Sequence, residues 1–70
     1  MSDTTVAIPT DMNALLSEPQ AAALMGLSRF TLRNKRLEGH GPRHIRIGRN
    51  VRYRRVDLEV FIEQHAQVVA

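Results

Sequence analysis

Arginine side chains dominate the chemistry that this 70-residue sequence could perform. Nine arginines and one lysine all lie between Arg29 and Arg55, where Glu38 is the only acid, and the other six acidic residues lie outside that stretch. Guanidinium groups make paired hydrogen bonds to phosphates and to guanine edges. A solvated basic face is the simpler alternative, but ordinary protein surfaces intersperse both signs of charge. The segregated charge therefore predicts a surface that binds nucleic acid.

No catalytic constellation is evident in the sequence. The acids are scattered, and neither a Ser/His/Asp arrangement nor a phosphate-binding loop occurs. His40 and His44 have metal-like spacing, but they flank a Gly-Pro loop without a further ligand nearby, so solvated histidines are expected there. The lack of cysteine removes thiolate sites and disulfides. We therefore expect a protein that is not an enzyme and that holds neither a cofactor nor a metal.

Two short helices joined by a tight turn are predicted, the first just before the basic stretch and the second at its start. Ser17 and Gln20 form a capping-box pattern with Pro19 in the first turn, so a helix should begin after Ser17. Gly26 should end this helix, and Ser28 provides the N-cap of a second one. Two helices and a glycine turn in this spacing are typical of a helix-turn-helix.

The second helix is predicted over residues 29–38 and carries very little apolar surface. Leu32 is its best core residue, flanked by Leu27 and Leu37, whereas most other positions are polar or basic. Such a helix must face something other than a core, and a DNA groove suits it. Phe30 lies about 200° from Leu32 around the helix. It therefore either packs against the N-terminal segment, which we favour, or touches a thymine methyl group.

A β-hairpin is predicted in the segment HIRIGRNVRYR, where apolar and charged residues alternate on both sides of a turn. A two-residue loop at positions 49–50 would mix apolar and charged side chains on one face. A three-residue loop at 48–50 pairs Ile47 with Val51 and Ile45 with Tyr53, which collects the apolar residues on the inner face. The second arrangement is therefore predicted, with Asn50 in the left-handed conformation that such loops require.

The outer face of this predicted hairpin is cationic. It carries Arg46, Arg52 and Arg54, with Arg49 at the tip. Arg46 would face Arg52 across the strands, a like-charge pair that weakens a sheet unless an anion lies between the two. The pairing therefore favours a phosphate-binding wing over a passive surface.

A closing helix and the chain termini complete the predicted organisation. An apolar stripe formed by Leu58, Phe61, Ile62 and His65 predicts a helix over residues 56–67 that packs on the remainder of the fold. The expected divisions are a flexible N-terminal arm over 1–13, a winged-helix domain over 14–67 and a frayed end over 68–70.

The segments LLSEPQAAALMGLSRFTLRN, GHGPRHIRIGR and VRYRRVDLEVFI together resemble MerR-like winged-helix proteins of the excisionase and AlpA type. The resemblance spans Leu15 to Glu63 and implies a mainly α fold with a small β-hairpin, a winged helix-turn-helix. It implies DNA contacts at the recognition-helix positions Ser28, Arg29, Thr31, Arg33, Asn34 and Arg36, and at the wing positions Arg46, Arg49, Asn50 and Arg52. Two residues depart from the pattern: Lys35 replaces a large apolar residue, and Val56 replaces a small polar residue that would cap the last helix.

The resemblance also implies a function. Members are mostly excisionases, the recombination directionality factors of phages and integrative elements, which bend attachment-site DNA and assist a tyrosine integrase; others are small transcriptional regulators. We expect the excisionase role, with double-stranded DNA and a tyrosine integrase as partners, cooperative self-association on DNA, and a place at the nucleoid in a bacterial cytoplasm. No membrane span or secretory signal is evident in the sequence. A transcriptional regulator of the same fold and a module that binds an acidic protein are the alternatives.

Overall fold

Three helices and a three-stranded antiparallel sheet make up the computed structural model, which describes residues 7–66. In chain order the elements are β1 (Leu15–Leu16), α1 (Glu18–Met25), α2 (Arg29–Leu37), β2 (Ile45–Ile47), β3 (Asn50–Arg54) and α3 (Arg55–Gln64). Helices α1 and α2 form the helix-turn-helix, the β2–β3 hairpin forms the wing, and α3 closes the fold. The predicted winged helix-turn-helix is therefore confirmed, whereas the predicted frayed end lies outside the described residues. Within residues 7–66, no helix has the length and apolar character needed to cross a membrane.

Local sequence determines where the first two helices begin and end. The Ser17 hydroxyl accepts a hydrogen bond from the Gln20 amide at 3.4 Å, and the Ser17 amide donates to the Gln20 side chain at 2.9 Å. Gly26 ends α1 with a φ of 71°, a left-handed conformation that costs glycine little. The Ser28 hydroxyl then accepts from the Thr31 amide at 3.1 Å and caps α2. The predicted capping box, glycine stop and second cap are all confirmed.

The core is small and draws on every element except β2. Its buried apolar residues are Leu16 from β1, Ala21 and Ala22 from α1, Leu32 from α2, Tyr53 from β3 and Leu58 from α3. Each fully buried leucine stabilises the fold by about 1.5–3 kcal/mol relative to exposure. Leu37 is 65% exposed, so the prediction that it flanks the core is wrong and Leu32 is the one fully buried residue of α2. Most of the α2 surface is consequently left to solvent.

The wing turns over two residues, Gly48 and Arg49, and the predicted three-residue loop is wrong. The observed strand pairs are Ile47 with Asn50, Arg46 with Val51 and Ile45 with Arg52. Gly48 takes a positive φ of 62° at the first loop position, so Asn50 belongs to β3 and does not adopt the left-handed conformation. Two-residue turns that begin with glycine match the twist of the flanking strands, and here that preference outweighs the grouping of apolar side chains.

This register divides the apolar residues of the wing between the two faces of the sheet. Alternation along β3 places Val51 on the same face as the buried Tyr53. Ile45 is paired with Arg52 and shares the outer face with it, because directly paired residues lie on one face. Ile47 lies on that outer face as well and is 52% exposed. The predicted inward placement is therefore correct for Val51 and Tyr53 and wrong for Ile45 and Ile47.

A short strand that the sequence analysis did not predict joins the N-terminal segment to the wing. Leu15 pairs with Arg54 and Leu16 pairs with Tyr53, which makes β3 the central strand of the sheet. Two adjacent leucines carry no alternation, so their pattern alone does not distinguish a strand from the start of a helix. The strand brings Leu16 directly onto the inner face of the sheet, where it is fully buried.

Part of the segment predicted as a flexible arm is hydrogen-bonded to the start of α3. The Arg55 amide donates to the Ala14 carbonyl at 3.0 Å, and the Val56 amide donates to the Met12 carbonyl at 2.9 Å. The Arg55 guanidinium donates to the Pro9 carbonyl at 2.6 Å. The first six residues of the predicted arm lie outside the described part of the chain. The Gln20 side chain also donates to the Ala7 carbonyl at 3.0 Å, so the segment has defined partners on the domain from residue 7 onward.

Helix α3 packs on the core through less of its surface than predicted. Leu58 is fully buried and Phe61 is half-buried, but Ile62 and His65 are exposed. The His65 ring lies beside that of Phe61, with ring centroids 4.1 Å apart. No side chain caps the first turn of the helix, but its N-cap is Arg54 and Val56 lies within the helix, so the predicted capping position is wrong. The predicted four-residue stripe is correct for its first two members and wrong for the other two.

Candidate nucleic-acid interface

Helix α2 brings most of the predicted contact residues to its accessible surface. The exposed ones are Ser28, Arg29, Thr31, Arg33 and Asn34. Leu32 points into the core and fixes the rotation of the helix about its axis. Arg36, the sixth predicted residue, is half-buried. The exposed groups of α2 and its N-cap therefore include two guanidinium groups, a carboxamide and two hydroxyls.

Ser28 and Thr31 bond to each other as well as capping the helix. Their hydroxyl oxygens are 2.9 Å apart, and the Ser28 hydroxyl also accepts from the Thr31 amide. Both hydroxyls are thereby fixed at the N-terminus of α2, where the helix dipole favours negative charge. This arrangement suits contact with a phosphate.

Phe30 is largely exposed, as its position opposite Leu32 on α2 predicts. Its side chain is 61% exposed, and the guanidinium carbon of Arg29 lies 5.1 Å from the centre of its ring. A cation over an aromatic face at this distance is attracted by the ring quadrupole, which orients both groups. Phe30 is therefore part of the accessible surface of α2, and its predicted packing against the N-terminal segment stays a prediction, because residues 1–6 of that segment lie outside the described part of the chain.

Arg36 is held by an internal network that we call the Glu18 cluster, formed by Glu18, Arg36 and Tyr53. The Arg36 Nε donates to one Glu18 carboxylate oxygen at 2.9 Å, and its Nη2 lies 3.5 Å from the other. The Tyr53 hydroxyl donates to Glu18 at 3.0 Å. The carboxylate thus connects the first turn of α1 to the recognition helix and to the central strand. Sequence analysis missed Glu18, because 18 and 35 residues separate it from its two partners.

The protonation states of the Glu18 cluster follow from its geometry. Burial raises the pKa of Glu18, but the hydrogen bonds from Arg36 and Tyr53 and the nearby positive charges outweigh it, so that pKa is lowered overall. The pKa of Arg36 shifts in the opposite direction: its hydrogen bond to Glu18 raises it. Burial, and then donation to Glu18, raise the pKa of Tyr53 to about 12. The cluster is consequently an ion pair with a neutral phenol at neutral pH.

The wing presents its arginines on more than one side. Arg49 is exposed at the second loop position, and Asn50 is exposed beside it. Arg46 is exposed and pairs with Val51, whereas Arg52 is half-buried and donates to the Val51 carbonyl at 2.9 Å. Arg46 and Arg52 therefore lie on opposite faces of the hairpin, and the predicted like-charge pair across the strands is wrong.

A groove runs between α2 and the wing, and arginines line it from both sides. Arg33 and Arg36 come from the helix, while Arg49 and Arg52 come from the wing. The groove has a volume of about 360 Å³, and its floor includes the start of α1 with Glu18. The fold thus brings together residues that are far apart in the sequence into one cationic groove. We call this feature the α2–wing groove.

Most of the positive charge is not compensated within the described part of the chain. Only Arg36 and Arg55 form ion pairs there, with Glu18 at 2.9 Å and with Glu59 at 3.2 Å. The basic residues without such a partner among residues 7–66 are Arg29, Arg33, Lys35, Arg43, Arg46, Arg49, Arg52 and Arg54. Like charges held on one small domain repel one another, and a polyanion relieves that repulsion.

The two loop histidines are both exposed. The His44 ring lies 6.2 Å from the ring of Tyr53, measured between centroids. Among residues 7–66, no three potential ligands are close enough together to hold a metal ion. The histidines thus border the interface next to Arg43, on the loop that joins α2 to the wing.

Comparison with known proteins assigns a family. A family model described as a helix-turn-helix domain matches residues 15–66, which run from the start of β1 to just beyond α3. None of the curated proteins compared with the chain matches it. The matched residues include α2, the wing and the α2–wing groove, and they support binding to DNA. With most of its length covered by that model, this chain belongs to the helix-turn-helix domain family.

Proposed function

We propose that the protein binds duplex DNA with α2 in the major groove and the wing on the adjacent backbone or minor groove. The observation that carries this proposal is the α2–wing groove, where two arginines from the helix face two from the wing. A DNA backbone strand lies between a major groove and the neighbouring minor groove, so a cationic groove between helix and wing suits that strand. Phosphate contacts would then set the register, and side chains of α2 would read bases.

Individual residues receive roles from their positions. Arg33 and Asn34 occupy the exposed middle of α2, and their side chains suit guanine and adenine edges respectively. Ser28 and Arg29 at the start of the helix are suited to phosphate. Thr31 lies beside them, and its hydroxyl is bonded to Ser28.

The wing residues Arg46, Arg49, Asn50 and Arg52 are proposed as a second set of DNA contacts. Arg49 at the tip is the residue best placed to enter a minor groove, where narrow grooves attract arginine. Arg36 differs from all of these, because Glu18 holds its guanidinium. We assign Arg36 the task of positioning α2 and not of reading DNA.

We further propose that the protein acts as an excisionase, a recombination directionality factor that bends attachment-site DNA and promotes integrase-mediated excision of a phage or integrative element. The resemblance from β1 to α3 supports this role, as does the presence of arginines on two separate elements of one small domain. Tyrosine integrase is the proposed protein partner, together with further copies of the chain bound cooperatively on the same DNA. A small transcriptional regulator is the alternative within this fold.

Competition binding tests the DNA-binding part of the proposal. Labelled duplex DNA should be bound at physiological salt and displaced by unlabelled duplex, whereas a polyglutamate chain of equal charge should displace it poorly. Arg33→Gln should weaken binding, and Glu63→Gln on the exposed surface of α3 is the matched control. A protein that ignores duplex DNA but binds the acidic polypeptide would contradict the proposal and favour a protein-interaction module.

An excision assay tests the recombination role. A plasmid that carries the paired attachment sites of the element is combined with its tyrosine integrase, with and without this protein. The protein should increase excision, and Arg33→Gln should reduce that increase in proportion to its loss of affinity. Unchanged excision together with intact binding to a promoter fragment would overturn the excisionase role and favour the regulator.

A further inference from the structure

Two large apolar side chains are exposed on the same face of α2. Phe30 and Leu37 are 61% and 65% exposed, more than any other large apolar residue in the described part of the chain. They are seven residues apart, so they lie two turns apart on one side of the helix, about 10 Å along its axis. Asn34 lies between them on that side, and Arg33 borders it. The face therefore has an apolar group at each end and polar groups in its middle.

This face is directed away from the core. Leu32, which is fully buried, is about 160–220° around the helix from Phe30, Asn34 and Leu37. Exposed apolar side chains of this size forgo about 1.5–3 kcal/mol each relative to burial. Their placement on the most exposed side of a nine-residue helix indicates that a bound partner covers them.

The charge around the two apolar residues restricts the chemistry of that partner. The Arg29 guanidinium lies over the Phe30 ring, and neither Arg29 nor Arg33 has an acidic partner among residues 7–66. A purely apolar partner would have to bury these charges without compensation, which is costly. A suitable partner is therefore anionic and also carries small apolar groups. The major groove of DNA meets both conditions through its phosphates and through the C5-methyl group of thymine.

We infer that Phe30 and Leu37 contact thymine methyl groups on either side of the base that Asn34 reads. The inference rests on the proposed binding of α2 in the major groove, and it adds the base class recognised at two positions. Because base pairs are about 3.4 Å apart along a strand, the two side chains span about three base-pair steps at most. The preferred site should therefore contain two thymines within that distance, on either strand.

Replacing thymine by deoxyuridine tests the inference directly, since it removes the methyl group and leaves every hydrogen-bonding atom in place. The wild-type protein first selects its preferred duplex from a randomised library. Each thymine of that duplex is then replaced in turn, and affinity is measured. We expect two positions at which the replacement weakens binding about fourfold, the effect of removing one buried methyl group.

Variants assign each position to a side chain. In Phe30→Ala, deoxyuridine at one of the two positions should cause no further loss, and in Leu37→Ala the same should hold for the other position. Phe30→Leu keeps an apolar group and should retain the sensitivity. Val60→Ala is the control, because Val60 is also exposed but lies on α3.

Three results would overturn the inference, and they differ in what they say of the proposed function. The first is tight duplex binding in which no replacement of thymine by deoxyuridine weakens affinity, or in which both sensitive positions stay sensitive in each alanine variant. This result would leave DNA binding intact and remove the methyl contacts. Reduced self-association of the alanine variants in the absence of DNA, again without an effect of deoxyuridine, would show that the face binds another copy of the chain. Failure to select any duplex would remove the proposed function and the inference with it.

Discussion

Arg33 and Arg36 lie one turn apart on α2, yet they belong to different regions of the molecule. Arg33 is exposed and has no acidic partner among residues 7–66, whereas Arg36 is half-buried in the Glu18 cluster. Both line the α2–wing groove. Arginines of one basic stretch thus divide into those that form ion pairs within the fold and those that are available to a partner.

The Glu18 cluster explains how the exposed arginines keep their positions despite mutual repulsion. A single carboxylate accepts from α2 and from β3 while it belongs to α1. The Glu18 carboxylate therefore links α2 directly to β3. Glu18 therefore has a structural role that requires no contact with DNA.

Loss of the Glu18 charge should have the largest effect on stability. Glu18→Gln leaves the half-buried Arg36 guanidinium without its counter-charge, so we expect the free energy of unfolding to fall by about 2 kcal/mol. Urea unfolding followed by circular dichroism measures this. Glu63→Gln removes the same charge from an exposed site and should change stability by less than about 0.5 kcal/mol. Equal effects of the two variants would mean that the Glu18 cluster does not stabilise the fold.

Substitution of Arg33 should act on DNA binding and leave stability unchanged. Arg33→Gln removes one guanidinium from the exposed face of α2, and we expect about a tenfold loss of affinity for the preferred duplex, or about 1.4 kcal/mol. Fluorescence anisotropy measures the affinity, and urea unfolding of the same variant serves as the control. A loss of stability similar to that of Glu18→Gln would remove the distinction between the two regions.

Removal of the Tyr53 hydroxyl should have a smaller effect on the Glu18 cluster. Tyr53→Phe keeps the buried ring but deletes one of the hydrogen bonds to Glu18, and we expect a loss of about 1 kcal/mol of stability. The variant should bind DNA with unchanged affinity under conditions where it is folded. An affinity loss comparable to that of Arg33→Gln would place Tyr53 in the DNA interface and contradict the assignment.

The pH dependence of stability should show both titrating members of the cluster. The lowered pKa of Glu18 means that the folded state loses stability as the pH falls below the usual value of 4.5, so wild type and Glu18→Gln should converge there. The pKa of Tyr53 is raised from 10.0 to about 12, so stability should fall as the pH rises through that interval. Tyr53→Phe should lack this alkaline contribution. Parallel curves for wild type and both variants at all pH values would contradict the cluster geometry.

Features that depend on neighbouring residues could be predicted from the sequence. The capping box at Ser17, the stop at Gly26 and the cap at Ser28 each involve residues at most three positions apart, and each was predicted correctly. The basic stretch supplies all four arginines that line the α2–wing groove, but its contact with DNA stays a prediction. Short-range chemistry and net charge thus account for the helices and for the general nature of the site.

Features that depend on distant pairing could not be predicted from the sequence. The ion pair of Arg36 was not predicted, because its partner Glu18 is on another helix and nothing in the local pattern distinguishes Arg36 from Arg33; the DNA contact predicted for Arg36 stays untested. The predicted hairpin register is wrong because the preference of Gly48 for a two-residue turn outweighs the grouping of apolar side chains on one face. Leu37 was predicted to flank the core, but with Leu32 buried it lies on the opposite, exposed side of α2.

The decisive test of the division between the two regions is the salt dependence of duplex binding by wild type, Arg29→Gln and Arg36→Gln. Neutralisation of about five phosphates predicts a slope of about −4 to −5 for log affinity against log salt concentration. Arg29→Gln, which removes a proposed phosphate contact, should make the slope less steep by about 0.9, whereas Arg36→Gln, measured where it is folded, should leave it unchanged. A wild-type slope near zero, or an equal change in both variants, would contradict the conclusion that the exposed arginines bind DNA while Arg36 holds the fold.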